Sequence, residues 1–291
     1  MFDGFKRHRI NVGGAEINVV AGGKGPTVLL LHGYPQSLAL WARVAPALAR
    51  DFTVICADLR GYGDSSKPPC LPDRSNYSFR VMAQDMVACM AALGFDRFHV
   101  IGHDRGGRVA HRMALDHPSV VQSLAVLDIV PTLDMLSHVT RQLAATYWHW
   151  YFLAQPEPFP ESLIGADPDR FFETCLVGWG RARIEDFDPE QLAEYRRVWR
   201  DPQYIHGSCS DYRATLAVDI LHDEADQHTK VTCPSLALWG SDGAMARLFD
   251  MEKVWSERCA TLRVSSLPGG HFFIDQSPQA TLAVLSDFLR G

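Results

Sequence analysis

Short, continuously apolar runs alternate along this chain with stretches whose apolar positions recur at helical spacing. That alternation predicts a mostly parallel sheet with helices on both faces, an α/β architecture. Ile10 to Val12 and Ile17 to Ala21, joined across Gly13-Gly14, read as an opening antiparallel hairpin. Thr27 to Leu31 is apolar throughout, as a central strand buried on both faces must be. Leu38 to Ala49 reads as a helix and Thr53 to Ala57 as a strand. Ser78 to Leu93 is a long amphipathic helix stopped by Gly94. A strand through Phe98-His99-Val100-Ile101, a helix from Arg105 and a strand from Ser123 to Leu127 follow.

After Asp128 the pattern changes. Residues 132–228 lose the strand signal and fill with Trp, Tyr, Phe, Pro and His. The strand pattern returns at Ser235 to Trp239 and Leu262 to Leu267, and a helix from Ala280 to Leu289 closes the chain. The expected organisation is a core in two parts, 1–131 and 229–291, with a helical cap at 132–228 lying over the strand ends, where open α/β sheets bind ligands. At 291 residues the chain is long for one domain and short for two independent ones, which suits that arrangement.

Composition narrows the function. With 47% hydrophobic and 21% charged residues the chain can bury a large core, and a net charge of -6 argues against nucleic acid or an anionic membrane as partner. The apolar stretches are too short to span a bilayer, and the first residues lack the apolar segment of a secretion signal. Seven scattered cysteines without a Cys-x-x-Cys pair suit reduced thiols in a cytoplasmic protein. No metal-ligand cluster, phosphate loop or organic-cofactor motif is visible, so neither metal nor cofactor is expected. The sequence accommodates a homodimer as readily as a monomer.

The chemistry centres on Gly102-His103-Asp104-Arg105-Gly106, set between a strand and a helix. This is the context of a nucleophile elbow, a tight turn that lifts one side chain above the sheet edge. Serine usually stands at the tip; here it is Asp104. A carboxylate can displace a leaving group from saturated carbon and carry the product as an ester. Water must then open that ester, which requires a base. Among 12 histidines, His271 stands out, because Gly269-Gly270-His271 follows the last strand. Asp128, ending a strand among apolar neighbours, is the favoured partner for its imidazole; Asp242, ending the next strand, is the competitor. The backbone N–H groups of Tyr34 and Arg105 are expected to stabilise an oxyanion. Arg105 and Arg108 lie one turn apart at the positive end of a helix dipole, where two cations repel unless an anion such as a substrate carboxylate sits between them.

Together these motifs resemble the fluoroacetate (haloacetate) dehalogenases of the α/β-hydrolase superfamily over nearly the whole chain. The resemblance rests on His32-Gly33-Tyr34-Pro35-Gln36, Gly102 to Arg108, Leu127 to Thr132, His149-Trp150, Phe152 to Pro156, Asp211-Tyr212-Arg213-Ala214 and Gly270-His271-Phe272. It implies Asp104 as nucleophile, His271 as base and Asp128 as its acid partner, with Arg105 and Arg108 holding the carboxylate of a small haloacid. It also implies that His149, Trp150 and Tyr212 donate hydrogen bonds to the departing halide and that Trp179 lines the pocket. Glycine at position 243 further favours Asp128 over Asp242. Fluoride is strongly hydrated, so a dry pocket must replace its water with several donors, and an imidazole, an indole and a phenol serve. Tyr34 departs from the phenylalanine frequent in this family, and Leu143 to Trp148 matches less well. An aspartate-dependent epoxide hydrolase is the nearest alternative, and a non-catalytic ligand receptor on the same fold the more distant one.

Overall fold

The computed structural model describes residues 1–137, 139–178 and 182–291. Its sheet runs β1-β2-β4-β3-β5-β6-β7-β8 in space, with β1 Lys6–Asn11, β2 Glu16–Gly23, β3 Thr27–Leu31, β4 Thr53–Ala57, β5 Phe98–His103, β6 Val121–Leu127, β7 Ser235–Gly240 and β8 Leu262–Leu267. The first hairpin and the β2–β4 pair are antiparallel; every pair from β4 onward is parallel. β3 is buried along its whole length, as its uninterrupted apolar sequence requires.

Two buried clusters occupy the two faces of the sheet. One gathers Leu29, Val100, Val109 and Val126 with the helical insertion, and the other gathers Leu30, Ile101, Leu127 and Phe288. The helix Phe79–Ala92 begins at a Ser78 side chain that accepts from the N–H of Val81, and the chain turns away at Gly94, whose φ is +87°. Leu38 to Ala49 differs from its expected single helix. A 3-10 turn, Leu38–Arg43, gives way at Val44 to a short helix, Ala45–Leu48, because Pro46 has no N–H to continue the first ladder.

Between β6 and β7 the described chain is helical, from Thr132–Ser137 to Ile220–Ala225. This insertion is fastened to the loop after β3: the Trp199 indole and the Tyr204 hydroxyl both donate to the Pro35 carbonyl, at 2.6 and 2.7 Å. Gln191 donates to the carbonyls of Ala39 and Leu40. The insertion therefore covers the ends of β3 and β5, and the polar groups between the layers are buried. No helix among the described residues is long and apolar enough to cross a membrane.

The elbow depends on close backbone approach. A Cβ on Gly106 would lie 2.4 Å from the His32 carbonyl oxygen, and one on Gly33 would lie 2.3 Å from the Asp104 Cβ. Gly106→Ala should therefore lower the unfolding free energy by about 3 kcal/mol, the upper range for overpacking. Gly165→Ala, at a helical position with open space around it, should leave stability unchanged or slightly raised. Urea denaturation of both variants checks the contrast, and equal losses would contradict it.

Candidate active site

Asp104 stands between β5 and the helix Arg105–Asp116 with φ +47°. Its Oδ1 accepts from the Tyr34 N–H at 2.8 Å, while Oδ2 lies 3.7 Å from His271 Nε2. The other imidazole nitrogen of His271, Nδ1, is 2.7 Å from Asp128 Oδ2. Asp128 Oδ1 accepts from the Gly240 N–H at 3.0 Å, so both oxygens of this buried carboxylate are engaged. Asp128 too has a positive φ, +52°, at the end of β6. The three residues thus stand in sequence, elbow carboxylate to imidazole to second carboxylate. Asp242, the competitor, is exposed and accepts from the Gly269 N–H at 3.2 Å. It braces the glycine turn that carries His271.

Burial disfavours every charge here, and the neighbours decide the outcome. For Asp104 burial pushes the pKa up, but His271, His103, Arg105 and Arg108 outweigh it and hold the carboxyl below its ordinary range. For His271 burial pushes the pKa down, but the Asp128 hydrogen bond and charge, with help from Asp104, raise it above the ordinary histidine value. His103 faces the His271 carbonyl at 2.8 Å, and burial with the His271 charge pulls it down to about 3, so it is neutral.

The arginines differ from their expected arrangement. Arg105 is fully buried and is not left without an anion: its Nε donates to Asp211 Oδ2 at 2.8 Å and its Nη2 to Asp211 Oδ1 at 2.5 Å. Asp211 also accepts from the Tyr62 hydroxyl at 2.6 Å. Burial opposes the Arg105 charge, and Asp211 reverses that, raising its pKa. The helix-dipole repulsion is thus offset from within the protein, by a carboxylate on the helix Pro202–Ala214 of the insertion. Arg105 Nη1 has no hydrogen-bond partner among the described residues. Arg108 donates through Nη1 to the Val130 carbonyl at 2.9 Å and to Thr132 Oγ1 at 3.2 Å, and its Nε has no such partner. Burial and the Arg105 charge lower Arg108 to about 10, so it remains a cation at neutral pH.

Above the arginines, the Trp150 ring lies 4.6 Å from the Arg108 guanidinium carbon and 5.4 Å from that of Arg105, and the Tyr212 ring lies 4.2 Å from that of Arg105. His149 stacks on Tyr34 with ring centroids 5.8 Å apart, and Tyr212 meets Tyr34, His149 and Trp150 edge-on. The structure therefore brings together His149, Trp150 and Tyr212, three groups remote from the elbow in sequence. The Trp150 indole N–H and the Tyr212 hydroxyl are buried without a hydrogen-bond partner among the described residues. Burial holds His149 well below the ordinary histidine value and Tyr212 well above the ordinary phenol value, so each remains a neutral donor. The Tyr34 hydroxyl lies 3.7 Å from Cys175 Sγ. Trp179 lies outside the described residues.

Sequence reasoning quoted Asp211 in the family motif and missed its role as the counter-ion of Arg105, because a lone sequence does not link the two.

A family model for the α/β-hydrolase fold matches residues 26–278. A fluoroacetate dehalogenase of Burkholderia sp is 59% identical over 289 residues, covering 99% of this chain and 95% of that protein. A soluble epoxide hydrolase of Corynebacterium sp. (strain C12) is 33% identical over 275 residues, covering 94% and 93%. Among solved structures, a protein from Nostoc sp PCC 7120 classed with the α/β hydrolases superposes with TM-score 0.97 at 47% identity, covering 99% of each chain. The chain belongs to the α/β-hydrolase family, and within it to the haloacetate dehalogenases.

Asp211→Asn keeps the shape of that side chain and removes the counter-charge of Arg105. Leaving a buried guanidinium without it should lower the unfolding free energy by about 3–5 kcal/mol in urea denaturation. A loss below about 1 kcal/mol, the size of an exposed pair, would mean that Arg105 is neutralised elsewhere.

Proposed function

We propose that this protein hydrolyses haloacetates, fluoroacetate and chloroacetate among them, to glycolate and halide through an ester on Asp104. The observation that carries this reading is the meeting of an ionised carboxylate at the elbow, a His271–Asp128 pair on one side and two buried guanidinium groups on the other. The 59% identity to a fluoroacetate dehalogenase supports the substrate class.

Arg105 and Arg108 hold the substrate carboxylate and direct its halomethyl carbon at Asp104. Oδ1 is fixed by the Tyr34 N–H, so the attacking atom is Oδ2. It forms a bond to carbon as the carbon–halogen bond breaks, and the halide leaves with the electron pair. His149, Trp150 and Tyr212 donate hydrogen bonds to it as its charge develops. Esterification removes the Asp104 charge, one of the causes raising the His271 pKa, so the imidazole is more readily neutral when its turn comes. His271 Nε2 then takes a proton from water, and the hydroxide adds to Asp104 Cγ. The oxyanion formed there keeps the Tyr34 N–H, and Asp128 stabilises the imidazolium. Collapse breaks the ester bond, and His271 returns the proton to the departing glycolate oxygen.

On this reading the helices of 132–228 act as a cap that keeps the pocket dry. The seven cysteines, free of disulfides, suit a cytoplasmic location. The buried Tyr212 hydroxyl is the feature that favours the epoxide hydrolase alternative, since a phenol can protonate an epoxide oxygen.

Halide-ion release from fluoro-, chloro- and bromoacetate, run beside diol formation from a generic epoxide, separates the two. Halide release is expected, and His271→Asn should stall with a carboxymethyl ester visible in the intact-protein mass. Diol formation without halide release would establish the alternative. Near wild-type turnover by His271→Asn would remove that residue from the role of base.

A further inference from the structure

Gln36 is fully buried in the loop after β3 and takes no part in the steps above. Its backbone N–H donates to the Gly33 carbonyl at 2.9 Å and closes the turn that holds Tyr34. Its side-chain Nε2 donates to Asp275 Oδ2 at 2.9 Å and to the Tyr195 hydroxyl at 3.1 Å. Asp275 lies on the short helix Phe273–Gln276, just after His271, and Tyr195 on the helix Pro189–Trp199 of the insertion. One amide thus joins the loop that carries the Tyr34 N–H, the turn that carries His271, and the insertion.

The join bears on where His271 stands. Its Nε2 is 3.7 Å from Asp104 Oδ2, beyond the range of a hydrogen bond, so the separation is set by the segments that carry the two groups. Asp242, His103 and Asp128 hold the His271 turn from the ends of β7, β5 and β6. Gln36 holds it from the segment after β3, and so does Arg43, whose Nη1 donates to the Asp275 carbonyl at 2.9 Å. Asp275 passes that hold on, because its N–H donates to the Phe272 carbonyl at 2.9 Å, next to the base.

Stability does not account for the pair. Gln36 Oε1 and Asp275 Oδ1 are both buried without a hydrogen-bond partner among the described residues, which costs folding energy. Apolar side chains would fill the same space at less cost, so the pair is better explained by the register that it fixes. Burial pushes the Asp275 carboxyl up to about 7 against the Gln36 bond and the Arg43 charge, with Asp188 adding to the push. Once protonated, the carboxyl can donate as well as accept, as an amide does.

We propose that Gln36 and Asp275 are positioning residues, whose hydrogen bond holds the His271 turn in register with the elbow so that the ester on Asp104 can be opened. The proposal rests on the haloacetate reading above. Ester formation uses groups on other segments, so losing the bond should slow the opening alone. In Gln36→Leu and Asp275→Ala, kcat for chloroacetate should fall about 10–100-fold, the cost of misplacing a reacting group by about 1 Å. The ratio kcat/KM, which reports the steps up to halide departure, should stay within about twofold of wild type. The ester should build up during turnover, read as a mass increase on the intact protein. Asp275→Ala, the smaller change, carries the test if Gln36→Leu does not fold. The conservative Asp275→Asn keeps an acceptor for Gln36 Nε2, so its kcat should stay within about threefold of wild type and no ester should collect.

Unchanged constants in folded Asp275→Ala would overturn the proposal. Equal falls in kcat and kcat/KM without ester would also overturn it, since a merely structural loss of active enzyme gives that result. Ester accumulation in Asp275→Asn would mean that the charge matters and not the bond, which contradicts it too. Failure of the wild type to release halide would contradict the parent reading, whereas wild-type turnover with no such split in the variants contradicts this one alone.

Discussion

Asp104 stands at a backbone angle that an L-residue adopts at a cost of about 1–3 kcal/mol, and the rest of the site depends on its being held there. The means are local. Gly33 and Gly106 allow the loop after β3 to lie against the elbow with no room for a Cβ, and the Gly106 N–H donates to the His32 carbonyl at 2.9 Å. The same loop carries the Tyr34 N–H to Asp104 Oδ1. One carboxylate oxygen is thereby anchored and the other turned toward His271. Asp128, at the end of the neighbouring parallel strand, has a positive φ as well. The two carboxylates that flank the imidazole are thus the two strained residues at the ends of β5 and β6.

Charge explains why this strained turn is also a reactive one. Arg105, Arg108, His271, Asp104, Asp128 and Asp211 are all buried within the same region. Each alone would be driven toward its neutral form. Set side by side, Arg105 is balanced by Asp211, His271 by Asp128, and the nucleophile by the cations around it. On the proposed function the arginines do two things at once: they keep Asp104 ionised and they attract an acid substrate. A neutral substrate would use only the first effect. Asp211 ties this balance to the insertion, so docking of the insertion and assembly of the site are one event.

The central strand was legible because its apolar run is uninterrupted, and both Thr27 to Leu31 and the more polar Leu262 to Leu267 fall where the sequence puts them. The elbow was legible because glycines and a strand-to-helix change mark it, and His271 because a glycine turn after the last strand marks it. Asp128 was separated from Asp242 by its apolar surroundings, and the structure places it against the imidazole. The Leu38 to Ala49 segment misled because apolar spacing is the same for a helix and for two short turns, and Pro46 decided between them. Arg105 misled more instructively. Its counter-ion is 106 residues away in sequence, and nothing local announces a long-range ion pair.

The covalent role of Asp104 is tested most directly by one turnover in water enriched in the heavy oxygen isotope, with enzyme in excess over fluoroacetate. Opening of an aspartyl ester at Cγ leaves the isotope in the Asp104 carboxylate, and the first glycolate released carries none. Peptide mass analysis of the enzyme beside the product reads both. Label in that first glycolate, with Asp104 unlabelled, would mean that water attacked the substrate carbon directly, and the elbow carboxylate would then be a base and not a nucleophile.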